Sequence, residues 1–216
     1  KPLVPEKGMA LQEGDRLVTE ASSFATFALA NGSRITLPSQ TAVRLATMRR
    51  VLLNDAVDFD IAVEKGRAET RVTPIAPGKG WFRLRTPSAV SAVRGTEFRV
   101  AYDNAEKPSL TEVTQGTVAV GAPTAPAPAA IRQGFGASVS ASGRVDTEAL
   151  LPAPVLRDPG AVQIAPTVAL AFDPVPGAVG YHVLIASDAG FVDIAAEART
   201  IAPTASFAGI GNGNWF

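Results

Sequence analysis

The chain has 216 residues, 46% hydrophobic and 19% charged, enough to fold around one sizeable core or two small ones. Its 20 basic and 20 acidic side chains cancel, so no global field draws it onto nucleic acid or anionic lipid. With no cysteine and a single histidine, disulfides, thiolate chemistry and cysteine zinc sites are excluded, and at most one histidine-dependent acid–base role remains.

Period-2 alternation dominates, and no segment carries a long helical stripe or approaches the ~20 apolar residues of a membrane helix. The chain opens at Lys1, so either a leader has been removed or the sequence is a piece of a longer protein. Asn31-Gly32, between residues 25–29 and 34–37, predicts a two-residue hairpin turn with positive φ at both positions. Val57, Phe59, Ile61 and Val63 share one strand face, with Asp58, Asp60 and Glu64 on a solvated one. Lys65-Gly66 closes that strand, and Ala68, Thr70 and Val72 alternate with Arg67, Glu69 and Arg71 beyond it. Strands follow around Phe98, Val100 and Tyr102, and again around Gly116 with Val113, Val118 and Val120. A Pro-rich surface loop, residues 122–130, interrupts this all-β unit, and residues 131–139 resume it.

The most informative stretch is residues 82–100, which reads strand, turn at Thr86-Pro87, apolar connection, second turn at Arg94-Gly95-Thr96, and strand again. It closely resembles the signature of the FecR domain, an extracytoplasmic bacterial module. Supporting blocks are Glu13-Gly14-Asp15, Asn31-Gly32-Ser33, Glu64-Lys65-Gly66, Thr114-Gln115-Gly116-Thr117 and Gln133-Gly134. The resemblance covers roughly residues 10–140 and implies a non-catalytic β scaffold. Regulators of that family pass an iron-uptake signal across the inner membrane, with a cytoplasmic helical segment and a membrane span ahead of the periplasmic domain. Neither feature occurs here, so the iron-signalling role is not carried over; exported relatives join the domain to fibronectin-like repeats. Residues 167–187, with the turn Pro174-Val175-Pro176-Gly177, resemble a bacterial fibronectin type III module, and residues 211–216 resemble the turn and start of its penultimate strand. A complete sandwich of that type has about seven strands, more than this segment supplies.

The predicted architecture is therefore all-β. It comprises an N-terminal extension (1–9), a FecR-like domain (10–145) built as a sandwich or a short solenoid-like stack of hairpins, a linker (146–160), and an incomplete immunoglobulin-like, fibronectin type III sandwich (161–216).

No catalytic, cofactor-binding or metal-binding residues are assigned. Arg94-Gly95-Thr96-Glu97 offers Arg94 and Glu97 as a charged pair for a partner or glycan, and the simpler reading is a backbone bend at Gly95. Asp55, Asp58 and Asp60 lack the Gly turn and terminal Glu of a calcium loop. Arg83, Arg85 and Arg99, with Trp81 beside them, form a basic stripe on strand outer faces that Glu97 and Glu112 neutralise. His182 has no nameable metal partners, Gly78-Lys79-Gly80 is not a phosphate loop, and no Gly-x-Ser-x-Gly elbow occurs.

The sequence thus points to a non-enzymatic protein of the periplasm or surface of a Gram-negative-type bacterium. Its first expected role is assembly, by self-association or with another envelope protein. Trp215 and Phe216, expected in an unfinished strand, would provide the open edge that pairs with another chain or a continuation. The alternatives are peptidoglycan or polysaccharide binding by Trp81, Arg83 and Arg85, and periplasmic signal relay.

Overall fold

The computed structural model describes residues 3–104, 107–124 and 127–216. Lys1 and Pro2 of the expected extension, and Ala125 and Pro126 of the Pro-rich loop, lie outside the described residues. Among the described residues the secondary structure is strand, and no helix is long and apolar enough to cross a membrane. The chain divides into two compact units, Lys1–Ala149 and Leu150–Phe216.

In the first unit β1 is Arg16–Val18, β2 Ala25–Ala28, β3 Arg34–Leu37, β4 Ala42–Val51 and β5 Ala56–Arg71. There follow β6 (Gly80–Arg85), β7 (Val90–Val93), β8 (Glu97–Tyr102), β9 (Ser109–Gln115) and β10 (Thr117–Gly121), then β11 (Ala129–Arg132), β12 (Phe135–Val139) and β13 (Val145–Ala149). Residues 146–149, expected to begin a linker, are strand and pair with β12.

The long strand β5 organises the unit. Its first half pairs with β4 and, in parallel, with β6; its second half pairs with β3 and β8. One sheet therefore runs β1-β4-β5-β6-β7-β10-β11 and the other β2-β3-β5-β8-β9-β12-β13, with β5 shared. Their inner faces close over one core, which is a sandwich rather than a stack of hairpins. Phe82 of the first sheet meets Phe59 of the same sheet and Phe98 of the second edge to face, at centroid distances of 6.4 and 6.3 Å. Alternation builds this core: Val57, Phe59, Ile61 and Val63 point inward, and Ala68, Thr70 and Val72 do so after the bend.

That bend explains why Lys65-Gly66 does not end the strand. Gly66 takes φ +85°, and the register against β4 slips by one residue between Val63 and Lys65. Such a bulge redirects a strand while keeping its inward face inward. A Cβ at Gly66 would lie 2.7 Å from the Gln40 carbonyl oxygen, so glycine is required on steric grounds as well. Between β2 and β3 the turn is longer than predicted. The Gly32 N–H donates to Leu29 O and the Leu29 N–H to Ser33 O, and of Asn31 and Gly32 only Gly32 has positive φ.

The second unit contains β14 (Thr167–Ala171) paired with β17 (Thr204–Ala208), and β15 (Tyr181–Ala186) paired with β16 (Ile194–Thr200). Ile185, Ala205 and Phe207 form its small core, against which Val168, Leu170, Val183 and Trp215 pack. The Tyr181 ring stacks edge-on to Phe172 at 4.8 Å, and its hydroxyl accepts from the Val175 N–H at 3.0 Å. Phe216 and Ala186 exchange both backbone hydrogen bonds at 3.0 Å, so the end of the chain pairs with the end of β15.

Candidate interaction surfaces

Strand β6 presents the sequence candidates. Phe82 and Leu84 point into the core, which turns Trp81, Arg83 and Arg85 to the outer face, each half-buried. The Arg83 guanidinium lies over the Trp81 ring, 4.1 Å from its centroid, a cation–π contact that covers one face of the indole. Arg85 donates to Asp60, and this pair overturns the expected solvated carboxylate: Asp60 is 6% exposed. The cause is the parallel β5–β6 register, which sets Asp60 beside Arg83 and Ala62 beside Arg85, so that an arginine side chain lies over the acid. Arg99 does not extend this stripe. It belongs to β8, on the outer face of the other sheet.

On that second outer face Arg67 and Arg99 share two carboxylates, Glu69 and Glu112. Glu112 accepts from Arg67 at 2.7 Å and from Arg99 at 3.3 Å, while Glu69 lies 3.4 Å from Arg67. Burial works to raise the Glu112 carboxyl, yet the charges and hydrogen bonds of Arg67 and Arg99 hold it below its ordinary value. Across the first sheet Glu64 is likewise lowered, by its hydrogen bond to Arg16 against burial, with Arg44 adding to the effect.

The 82–100 motif has a structural use. Thr86, Ser88 and Ser91 belong to the first sheet's side of the core, and all three reach β9 in the other sheet. The hydroxyls of Thr86 and Ser88 both bond Ser109 Oγ, and Ser91 Oγ lies 2.8 Å from Thr111 Oγ1. Ser91, Ser109 and Thr111 are at most 1% exposed, so the Ser91–Thr111 pair ties the sheets together within the buried interior, and the Thr86 and Ser88 bonds join them nearer its edge. Gly95, at φ +129°, would bring a Cβ within 2.8 Å of Pro74 Cα. Arg94 contributes its carbonyl to the Ile75 N–H, and Thr96 Oγ1 donates to Thr117 O at 3.2 Å. Glu97 pairs with Arg71 at 2.7 Å.

A surface that sequence reasoning missed lies at the same end of the sandwich. Three glycine turns, at Gly32, Gly95 and Gly116, converge on a cleft of about 420 Å³. Cross-strand register aligns Arg34 with Arg71, Arg71 with Glu97, and Glu97 with Gln115, forming one polar row over four strands along its side. The glycines were visible as turn signals. The row was not, because its members are separated by up to 81 positions in sequence and meet only through register.

Residues 15–119 match the model of the FecR protein family. The matched segment runs from just before β1 into β10, so it holds the hydroxyl ties, the β6 face and all three glycine turns of the cleft. No curated protein matches the chain. Two crystal structures, at 2.50 and 1.65 Å resolution, of a provisionally named anti-sigma factor from Parabacteroides distasonis ATCC 8503 share its fold, with TM-scores of 0.51 and 0.50 at 18% identity. Each likeness covers 62% of this chain, and the chain spans 59% of the length of those structures.

In the second unit, His182 lies beside one carboxylate. Its Nε2 lies 2.9 Å from Glu197 Oε2 across β15 and β16. Trp215 donates its indole N–H to Gly211 O at 3.0 Å. No group of three or more His, Cys, Asp or Glu side chains is placed to hold a metal among the described residues.

Proposed function

We propose that the FecR-matched unit is a non-catalytic protein-recognition module that relays a signal from the extracytoplasmic side, as an exported part of a regulatory system. The observation that carries this reading is the family match over residues 15–119, and the fold shared with a protein named as an anti-sigma factor supports it. The chemistry of the unit is consistent with it. The motif hydroxyls are spent on internal ties, and the paired charges of both outer faces suit a scaffold that displays side chains to a partner.

This reverses the order expected from sequence, where assembly came first. The assembly reading drew on an open strand edge at Trp215 and Phe216, and within the chain Phe216 pairs with Ala186 while Trp215 packs against its own core. Polysaccharide binding through Trp81 is also less well supported, since Arg83 occupies one face of that ring. The residue 161–216 segment is proposed as a fibronectin-like spacer.

The deciding experiment deletes the coding region for residues 15–119 in the native host and compares transcripts and envelope structure with the parent strain. A relay module changes a small, coherent set of promoters and leaves surface architecture intact. Loss of a surface structure with unchanged transcription would refute relay in favour of assembly.

A further inference from the structure

The geometry points to the cleft at Gly32, Gly95 and Gly116 as a binding site for an acidic side chain of a partner peptide, received between Arg34 and Arg71. This rests on the reading of the unit as a protein-recognition module and names the chemistry that it recognises.

Two arginines stand directly opposite one another on β3 and β5, an arrangement that costs stability unless an anion joins them. One carboxylate, Glu97, serves the pair, and it lies against Arg71 at 2.7 Å. Arg34 is exposed and has no ion-pair partner among the described residues. The row Arg34, Arg71, Glu97 therefore carries one uncompensated positive charge, the complement of a monoanion. A carboxylate matches both that charge and the planar fork of a guanidinium, which binds it through two parallel hydrogen bonds. A phosphate dianion would bring a second negative charge up to Glu97.

The remaining lining favours a peptide over a sugar acid. Gln115 closes the row with an amide that both donates and accepts, as a peptide group requires. No aromatic ring lines the cleft to stack on a pyranose. Its volume of about 420 Å³ has room for one acidic side chain and the peptide groups flanking it. Glycine is required in the floor: at φ +129° a Cβ on Gly95 would lie 2.8 Å from Pro74 Cα, and Gly116 takes φ +85°.

The test uses the whole 216-residue chain, labelled with ¹⁵N, titrated separately with the amidated peptides acetyl-Ala-Glu-Ala and acetyl-Ala-Gln-Ala, with glucuronate and with inorganic phosphate. Saturable shifts of the Gly32, Gly95 and Gly116 amides are expected with the Glu peptide and not with the Gln peptide. Arg34→Gln should weaken that binding about tenfold, Arg34→Lys should weaken it less, and Arg144→Gln, elsewhere on the unit, should leave it unchanged. Because Arg34 is exposed, its variants are expected to keep the remaining amide spectrum of the parent. Equal response to the Gln peptide, equal or tighter binding of glucuronate or phosphate, or unchanged affinity in Arg34→Gln would each overturn the proposal. None of these outcomes bears on the transcript comparison, so the recognition site and the relay role fail separately.

Discussion

Replacing Phe82 with Ala tests whether the two sheets of the first unit share one core. The Phe82 ring is fully buried and makes edge-to-face contacts with Phe59 in its own sheet and Phe98 in the facing one. Truncation removes the ring's transfer free energy and leaves a cavity that β5, fixed by partners on both sides, cannot collapse to fill. Such a substitution costs about 3–5 kcal/mol. With a urea dependence of about 2 kcal/mol per molar for a unit of this size, the unfolding midpoint should fall by about 2 M. The chain supplies its own reporters, since Trp81 lies in the first unit and Trp215 in the second. In a Trp215→Phe background, equilibrium urea unfolding followed by Trp81 fluorescence reads the first unit alone. A companion Phe82→Leu variant, which keeps most of the volume, should lose about 1–1.5 kcal/mol. If Phe82→Ala shifts the Trp81 midpoint by less than Phe82→Leu, or leaves it in place, the ring does not join the sheets and the shared-core account fails.

Arg85 and Asp60 should respond asymmetrically to truncation. Arg85→Met keeps an unbranched chain over Asp60 but removes its cation, leaving a carboxylate side chain that is 8% exposed unpaired, whereas Asp60→Asn leaves an arginine that is 44% exposed and can hydrate. The first should therefore cost about 3 kcal/mol and the second about 1 kcal/mol in the same urea assay; equal losses would contradict the burial of Asp60. Glu112 gives a pH signature. Its folded pKa lies below the ordinary value near 4.5, so the stability it contributes is fully present above that value and is lost as pH falls through the folded pKa. Urea midpoints measured from pH 6 downward should drop most steeply below the ordinary value, and Glu112→Gln should flatten that drop, with Glu64→Gln removing a further part of it.

Alternation alone revealed much of this fold. The inward set of β5, the outward set of β6 and the buried Phe98 and Val100 of β8 all follow from period-2 reading, because a sheet face is a local property. What failed was what depends on a partner strand. Lys65-Gly66 looks like a terminator because glycine usually ends strands, and only the register slip against β4 shows it to be a bulge. Asp60 reads as solvated from its own strand, and its burial comes from Arg85, 25 positions away. Arg99 appears to continue the Arg83 and Arg85 stripe in sequence, yet it sits beyond the shared bend of β5 and so on the other sheet.

The same distinction separates the family motif from the recognition chemistry. Thr86, Ser88 and Ser91 are occupied inside the sandwich, and Gly95 holds a backbone geometry that a side chain would disrupt. A motif of this kind specifies how two sheets meet and where three turns converge; it does not choose a ligand. That choice falls to the groups projecting from the row, and Arg34 and Gln115 are exposed residues of β3 and β9 that no core contact constrains. The scaffold and its specificity are thus carried by different residues, which is the condition under which one β unit can be fitted to different partners. It also means that a change at Arg34 should alter binding with little effect on unfolding, whereas a change at Ser109, which is buried and does not line the cleft, should do the reverse.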